Sequence, residues 1–254
     1  KTNHYKTIRT VNPIVIIPTY NEKENISRML ETVMALSEEF DVLVVDDNSP
    51  DGTTDLVKAA QAIHSRIHLL ENGKKNGLGG AYIAGFKWCL EREYAHIFEM
   101  DCDFSHNPKD LIRMHAELKN RVCDLVVGSR YVGNVVNVVN WPMSRVLLSY
   151  FASAYVRFFT RMMLADATAG FVGYSRKLLE TIDLDKIKFK GYAFQIEMKY
   201  TAYKLGFTIK EIPIIFTDRT EGVSKMSGGI IKEALIGVVS LRFKRIKAMS
   251  SSGK

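Results

Sequence analysis

Asp101 and Asp103 are the pair of side chains in this sequence whose type and spacing most suggest chemistry, and they directly follow a short apolar run at residues 97–100. In an extended chain, residues i and i+2 point to the same side, so where a strand frays both carboxylates can face one cation. Hard oxygen ligands suit Mg2+ or Mn2+, and magnesium leaves coordination positions for water and substrate phosphate. Ser105, two residues further on, offers a third oxygen. His106 reads as a structural hydrogen-bonder beside the helix that Asn107-Pro108 would open. Asp-x-Asp alone is common by chance; its position after a strand gives it weight.

Three more polar clusters occupy equivalent positions. Pro18-Thr19-Tyr20-Asn21-Glu22 follows the apolar run 14–17, Asp46-Asp47-Asn48-Ser49-Pro50-Asp51-Gly52-Thr53 follows 42–45, and Gly128-Ser129-Arg130-Tyr131 follows 125–127. Carboxylates at such an edge can accept hydrogen bonds from a ribose or a base. The same aspartates can also build an Asx turn and helix cap. Both readings hold together if Asp51 is structural and Asp47 is free to bind. Gly73-Lys74-Lys75-Asn76-Gly77-Leu78-Gly79-Gly80 lacks the ending of a P-loop and the spacing of a dinucleotide fold. It reads as a turn and a close helix contact, with a ligand nearby.

These clusters need a scaffold, and the first 130 residues supply one. Short apolar runs at 14–17, 42–45, 67–70, 97–100 and 125–127 alternate with helical patterns at 22–36, 53–64, 78–93 and 109–120. Alternation of this kind predicts an α/β fold with a doubly wound, mainly parallel sheet flanked by helices. Ligands of such sheets bind beyond the carboxyl ends of the strands, which is where all four clusters fall.

Beyond residue 140 the pattern changes. Between 145 and 164, Arg145, Ser149, Ser153, Arg157 and Arg161 recur every four residues in an otherwise apolar stretch. That is a helix with a narrow basic stripe and a wide apolar face, either buried against a sheet or lying in a membrane interface. A helix at 192–205, a strand at 208–216 and a basic amphipathic helix at 230–247 follow. The expected organisation is a catalytic domain over 1–229, including the amphipathic helix, and a basic C-terminal helix and tail over 230–254.

Composition sets the outer limits. The 254 residues are 46% hydrophobic and 25% charged, which excludes a disordered chain. The longest stretch without a charge, residues 131–144, is too short and too polar to span a bilayer. Cys89, Cys102 and Cys123 have neither an even count nor metal-finger spacing, which favours a reducing, cytoplasmic compartment. The net charge is +7, and residues 204–254 hold ten Lys/Arg against four Asp/Glu. Such a segment is either a solvated basic helix or a contact for an anionic partner. No motif interleaves aromatic and basic residues as nucleic-acid binders do, so a membrane surface or a phosphate-bearing substrate is expected instead.

Taken with Gly191-Tyr192-Ala193-Phe194-Gln195-Ile196-Glu197-Met198 and the segment from Arg219 to Lys225, the clusters occur in the order found in family 2 glycosyltransferases. The set resembles the polyprenyl-phosphate (dolichol-phosphate) mannose synthases over residues 11–247. The resemblance implies a GT-A-like fold. It also implies inverting, metal-dependent transfer of mannose from GDP-mannose to a polyprenyl monophosphate. Carried over by motif, Pro18, Tyr20, Glu22, Val45 and Asp47 would hold the guanosine part of the donor. Asp101, Cys102 and Asp103 would lie at the donor diphosphate, with Asp101, Asp103 and Ser105 around Mg2+ or Mn2+. Arg130, Arg219 and Lys225 would bind phosphates of donor and acceptor, and Arg145 the phosphate of the acceptor, the catalytic set being Asp101, Asp103 and Arg130. A synthase using UDP-glucose or another nucleotide sugar is the alternative, and a non-catalytic binding module the reading from another class. Many members carry C-terminal membrane spans that these 254 residues lack, so peripheral attachment to the cytoplasmic face of a membrane is expected, through the two amphipathic helices or a partner subunit. The oligomeric state is left open.

Overall fold

The structure is a computed structural model that describes residues 12–189, 191–218, 228–244 and 246–249. The five apolar runs form strands β1 (Ile14–Thr19), β2 (Asp41–Asp46), β3 (Ile67–Glu71), β4 (His96–Glu99) and β5 (Leu125–Ser129). Helices α1 (Lys23–Met34), α2 (Thr53–Ile63), α3 (Gly77–Leu90) and α4 (Asp110–Lys119) fill the crossovers. The strands run in one direction, as short apolar runs joined by helices require. The second half contributes β6 (Val138–Val139), α5 (Met143–Thr160), β7 (Val172–Ser175), α6 (Arg176–Thr181), α7 (Tyr192–Lys204), β8 (Ile209–Pro213), β9 (Phe216–Thr217) and α8 (Gly228–Phe243).

The seven-stranded sheet has the order β3-β2-β1-β4-β7-β5-β8, and β6 pairs with β9 in a separate ribbon. Alternate residues of each strand serve opposite faces. Ile14, Ile16, Leu43 and Val45 pack with Tyr82 and Phe86 of α3. Val15, Ile17, Val42 and Val44 face Ile26, Met29 and Val33 of α1. A third cluster joins Val156 of α5, Ile196 and Tyr200 of α7, and Val238 and Leu241 of α8.

The sheet is mainly parallel, but β7 is antiparallel to both β4 and β5. Nothing in the apolar pattern marks it, because the strand is four residues long and carries a glycine inside. Gly173 is required there: a Cβ would lie 2.5 Å from the Phe98 ring and 2.8 Å from Val126, so the neighbouring strands leave no room for a side chain.

Of the two expectations for the amphipathic segment, helix α5 departs from the one that buries its wide apolar face against the sheet, and it ends earlier than expected. Its polar stripe faces inward. Ser153 is fully buried, Arg145 pairs with Asp218 at 2.8 Å, and Arg157 donates to the carbonyls of Leu164 and Ala165. Leu147, Tyr150, Phe151 and Phe158 face outward, with Phe158 at 78% exposure. The helix stops at Thr160, and Arg161 takes a left-handed conformation at φ 59°. At the basic end of α8, exposed Arg242 donates to the Phe159 carbonyl, and Lys244, just past the helix, bonds the buried Glu197 carboxylate and the Lys186 carbonyl.

Candidate active site

The carboxyl ends of β1, β2, β4 and β5 share one edge, and the order β2-β1-β4 places a crossover reversal beside β1, the usual position of a ligand cleft. The turns leaving β1 and β2 are built by their own polar residues. Asp46 accepts hydrogen bonds from Thr19 Oγ1, Ser49 N and Oγ, and Thr54 Oγ1. Asp51 accepts from Thr53 N and Oγ1 and from Lys23 N, the structural role expected of it. Asn21 and Asn48 supply the positive-φ positions of these turns, which asparagine tolerates better than most residues.

Asp47 is not free as expected. One carboxylate oxygen accepts from Asn72 Nδ2 at 2.8 Å, and the other accepts from the amides of Asn76 and Gly77 at 3.0 Å. Its charge therefore anchors the Gly73–Gly80 segment at the N-terminus of α3, where backbone N–H groups favour an anion. Gly77 has φ 75°, and a Cβ on Gly79 would lie 2.8 Å from the Phe189 carbonyl, so this segment is the turn and close contact expected of it. The anchored loop places the Lys75 ammonium 3.7 Å from the centre of the Tyr20 ring, a cation–π contact. Pro18 and Glu22 are half-exposed beside it. Val45 is different: its side chain lies wholly in the core beneath α3, so only its main chain borders the cleft.

A cavity of about 460 Å³ opens beyond β4 and β5. Asp101, Asp103 and Ser105 line it together with Arg130 and Arg145. The Cys102 side chain, predicted at the donor site, turns into the core with Phe98, Met100 and Leu111; alternation along an extended chain sends it opposite to its neighbours. His106 Nδ1 accepts from the Asp101 amide at 3.4 Å, and its ring stacks on Phe171 at 4.9 Å. Burial holds its pKa down to about 4, so it is a neutral acceptor that positions the Asp101 backbone. Phe104, at φ 59°, turns the chain between Asp103 and Ser105, and Ser105 N donates back to Asp103 Oδ1 at 3.1 Å.

Arg130 is fixed by a residue the motifs did not flag. Asp166 is fully buried and accepts three bonds from Arg130: Nε at 2.6 Å, Nη2 at 2.7 Å and the backbone N–H at 3.0 Å. Thr168 Oγ1 takes another Nη2 bond at 2.8 Å. Burial alone would raise the Asp166 pKa, but the Arg130 charge and hydrogen bonds outweigh it and hold the carboxyl below its ordinary range. Asp166 escaped the sequence reading because it sits in Ala165-Asp166-Ala167-Thr168-Ala169-Gly170, a small-residue stretch that follows a helix, not a strand.

Three buried polar atoms around the cavity have no hydrogen-bond partner among the described residues: Ser105 Oγ, Gln195 Oε1 and Trp141 Nε1. Buried polar groups are rarely left so, and a cluster of them marks a place for a ligand. The orphaned Ser105 hydroxyl beside two carboxylates fits a hard divalent cation. Among the described residues no three His, Cys, Asp or Glu side chains converge as a metal group, so such an ion would complete its shell with water and substrate phosphate. Arg219 and Lys225 lie outside the described residues. Much of the remaining wall is apolar, with Leu148, Ala152 and Val156 of α5, Ile196 of α7, and Leu235 and Val238 of α8, and Asp218, Ser149 and Thr168 also line it.

An acidic pair at the edge of a mainly parallel sheet, lining one cavity with two arginines, is the layout of a GT-A-type enzyme. Residues 14–183 match the family described as Glycosyl transferase family 2, and the chain belongs to that family and is a glycosyltransferase. It is 47% identical over 225 residues to an undecaprenyl-phosphate mannosyltransferase of Micrococcus luteus, covering 89% of this chain and 91% of that protein. It is 46% identical over 235 residues to a polyprenol monophosphomannose synthase of Mycolicibacterium smegmatis, covering 91% and 88%. Among solved structures, glucosyl-3-phosphoglycerate synthase from Mycobacterium tuberculosis with Mn2+, UDP and glucosyl-3-phosphoglycerate matches with a TM-score of 0.69 at 15% identity, covering 91% of this chain and 80% of that one. The same synthase with Mg2+ and UDP matches at 0.67 and 17%, covering 91% and 79%. At that identity the likeness speaks for the fold.

Proposed function

We propose that this glycosyltransferase moves mannose from GDP-mannose to a polyprenyl monophosphate, with inversion and with a divalent cation. The observation that carries the proposal is the cavity itself: its lining combines Asp101, Asp103, Arg130 and Arg145 with apolar side chains of α5, α7 and α8, among them Leu148, Ala152, Val156, Ile196, Leu235 and Val238. A phosphate on a hydrocarbon chain needs that combination, and the names of the two bacterial relatives support it.

The acceptor needs little activation. A phosphate monoester has a second pKa of about 6, so its oxygen is already an anionic nucleophile at neutral pH. That oxygen attacks the anomeric carbon from the side opposite the diphosphate. The new carbon–oxygen bond forms, the old one breaks, and GDP leaves with the electron pair. The protein's task is to bring two anions together and hold them in line. The described cavity lining carries Asp101, Asp103 and Asp218 against Arg130 and Arg145, too little positive charge for two phosphorylated substrates. Arg219 and Lys225 are the further cations we assign to the phosphates, and Asp101, Asp103 and Ser105 are the residues assigned to Mg2+ or Mn2+. Such an ion supplies charge neutralisation of the diphosphate and of the departing nucleotide. Pro18, Tyr20 and Glu22 are assigned to the nucleoside, and Asp47 to the loop that closes over it.

The outward apolar face of α5 supports peripheral seating on the cytoplasmic face of an anionic membrane, from which a lipid acceptor can enter the cavity. No helix among the described residues is long and apolar enough to cross a membrane. The test is a transfer assay with GDP-mannose, UDP-glucose and other nucleotide sugars against a polyprenyl monophosphate, with Mg2+ or Mn2+. Mannosyl lipid formed from GDP-mannose supports the proposal; transfer from UDP-sugars alone supports the related synthase.

A further inference from the structure

Lys199 is wholly buried in α7 and belongs to none of the groups assigned above. Its Nζ donates to the carbonyl of Ala169 at 2.6 Å and of Gln195 at 3.2 Å. Both of those residues line the cavity, so the ammonium lies just behind the wall. The Ala169 carbonyl ends the turn that presents Asp166 and Thr168 to Arg130, a turn closed by Ala169 N donating to Asp166 O at 3.4 Å. The start of the same turn is held by Glu211, which accepts from the amides of Ala165 and Asp166 at 2.7 and 2.8 Å. The turn that aims Arg130 is therefore pinned at one end by a carboxylate and at the other by an ammonium.

A lysine is an expensive residue to use for packing. Burying an ammonium is strongly unfavourable unless opposite charge and hydrogen bonds compensate. Burial lowers the pKa of Lys199 to about 8, against the pull of Glu99 and Asp166. Glu99 is itself fully buried, held by Gln195 Nε2 at 2.6 Å and Tyr174 Oη at 3.2 Å. A methionine would fill similar volume without the desolvation cost, so the charge itself has a use.

We propose that Lys199 is a positioning residue for the acceptor side of the site, holding the 165–169 turn so that Asp166 aims Arg130 at the acceptor phosphate. This rests on the function proposed above for the cavity. The hydrogen bonds of Lys199 go to the Ala169 and Gln195 carbonyls, and of the two phosphate-bearing substrates we take the acceptor as the one that depends on the aim of Arg130, so the loss of Lys199 should fall on the acceptor.

The test is Lys199→Met, with KM and kcat measured separately for GDP-mannose and for a short-chain polyprenyl monophosphate in detergent, beside thermal unfolding of both proteins. The expected result is a folded protein whose acceptor KM rises about tenfold or more while its donor KM stays within about twofold, the loss of one charge-assisted contact. Unchanged acceptor KM, or equal rises for both substrates, overturns the inference. If Lys199→Met does not fold, Glu211→Gln loosens the other end of the same turn, and the same acceptor-selective rise is required of it. Wild-type protein that makes no mannosyl lipid refutes the proposed function instead; the acceptor-to-donor split is then read with whichever sugar nucleotide wild type uses, so the two failures are distinguishable.

Discussion

Asp166→Asn isolates the contact on which the orientation of Arg130 depends. The carboxylate accepts the Arg130 Nε, Nη2 and backbone N–H bonds within 3.0 Å, in a site with no solvent exposure. An amide keeps one oxygen, so whichever way it is turned its NH2 group faces an N–H donor of Arg130. Breaking a buried ion pair from one side costs about 3–5 kcal/mol. With a urea dependence of about 3 kcal/mol per molar for a chain of this size, the unfolding midpoint should fall by about 1–1.7 M. Activity should fall as well, because a guanidinium no longer held in place loses a charge-assisted bond to the acceptor phosphate. That bond is worth about 1.5–3 kcal/mol, or about 10- to 150-fold in kcat/KM for the acceptor. Urea unfolding followed by circular dichroism and a radiolabelled transfer assay measure the two effects. A variant that keeps both its midpoint and its acceptor kcat/KM refutes the argument that Asp166 aims Arg130.

Asp103→Ala should abolish turnover while leaving the thermal midpoint close to wild type, since the side chain faces a cavity; normal turnover would remove the carboxylate from the site. Chelation by EDTA should stop transfer, and added Mg2+ or Mn2+ should restore it; activity that survives exhaustive chelation counts against the metal assignment. Burial, aided by His115, lowers the His96 pKa from 6.5 to about 4. The folded state then binds fewer protons than the unfolded chain in that window, so this contribution is intact above pH 6.5 and lost as pH falls toward 4. Urea midpoints across this range should show the loss, and His96→Gln should flatten it; an equally steep decline in the variant would assign the loss elsewhere. Replacing Phe151 and Phe158 by serine should weaken flotation with anionic liposomes without changing the unfolding midpoint, because both rings are exposed. Undiminished flotation would move the membrane contact away from α5.

Local pattern alone determined the first half of this protein. Short apolar runs and period-3.6 hydropathy are properties of neighbouring residues, so β1 to β5 and α1 to α4 fall within a few residues of their expected positions. The rule that ligands gather at strand ends then brought Asp101, Asp103, Ser105 and Arg130 to one cavity. Tertiary structure decided what depends on distant partners. Strand β7 exists because two neighbouring strands leave a slot that only glycine fits at its centre. Asp47 is occupied because a loop some 25–30 residues away donates to both its oxygens. Asp166 and Lys199 matter because burial places them behind Arg130 and behind the cavity wall, and neither pattern nor charge in the chain announces burial. A hydropathy repeat shows that α5 has two unlike sides, but it cannot say which side meets the protein. Arg145 and Ser153 turn inward because Asp218 and the packed helices receive them, and that arrangement exists only once the chain has folded.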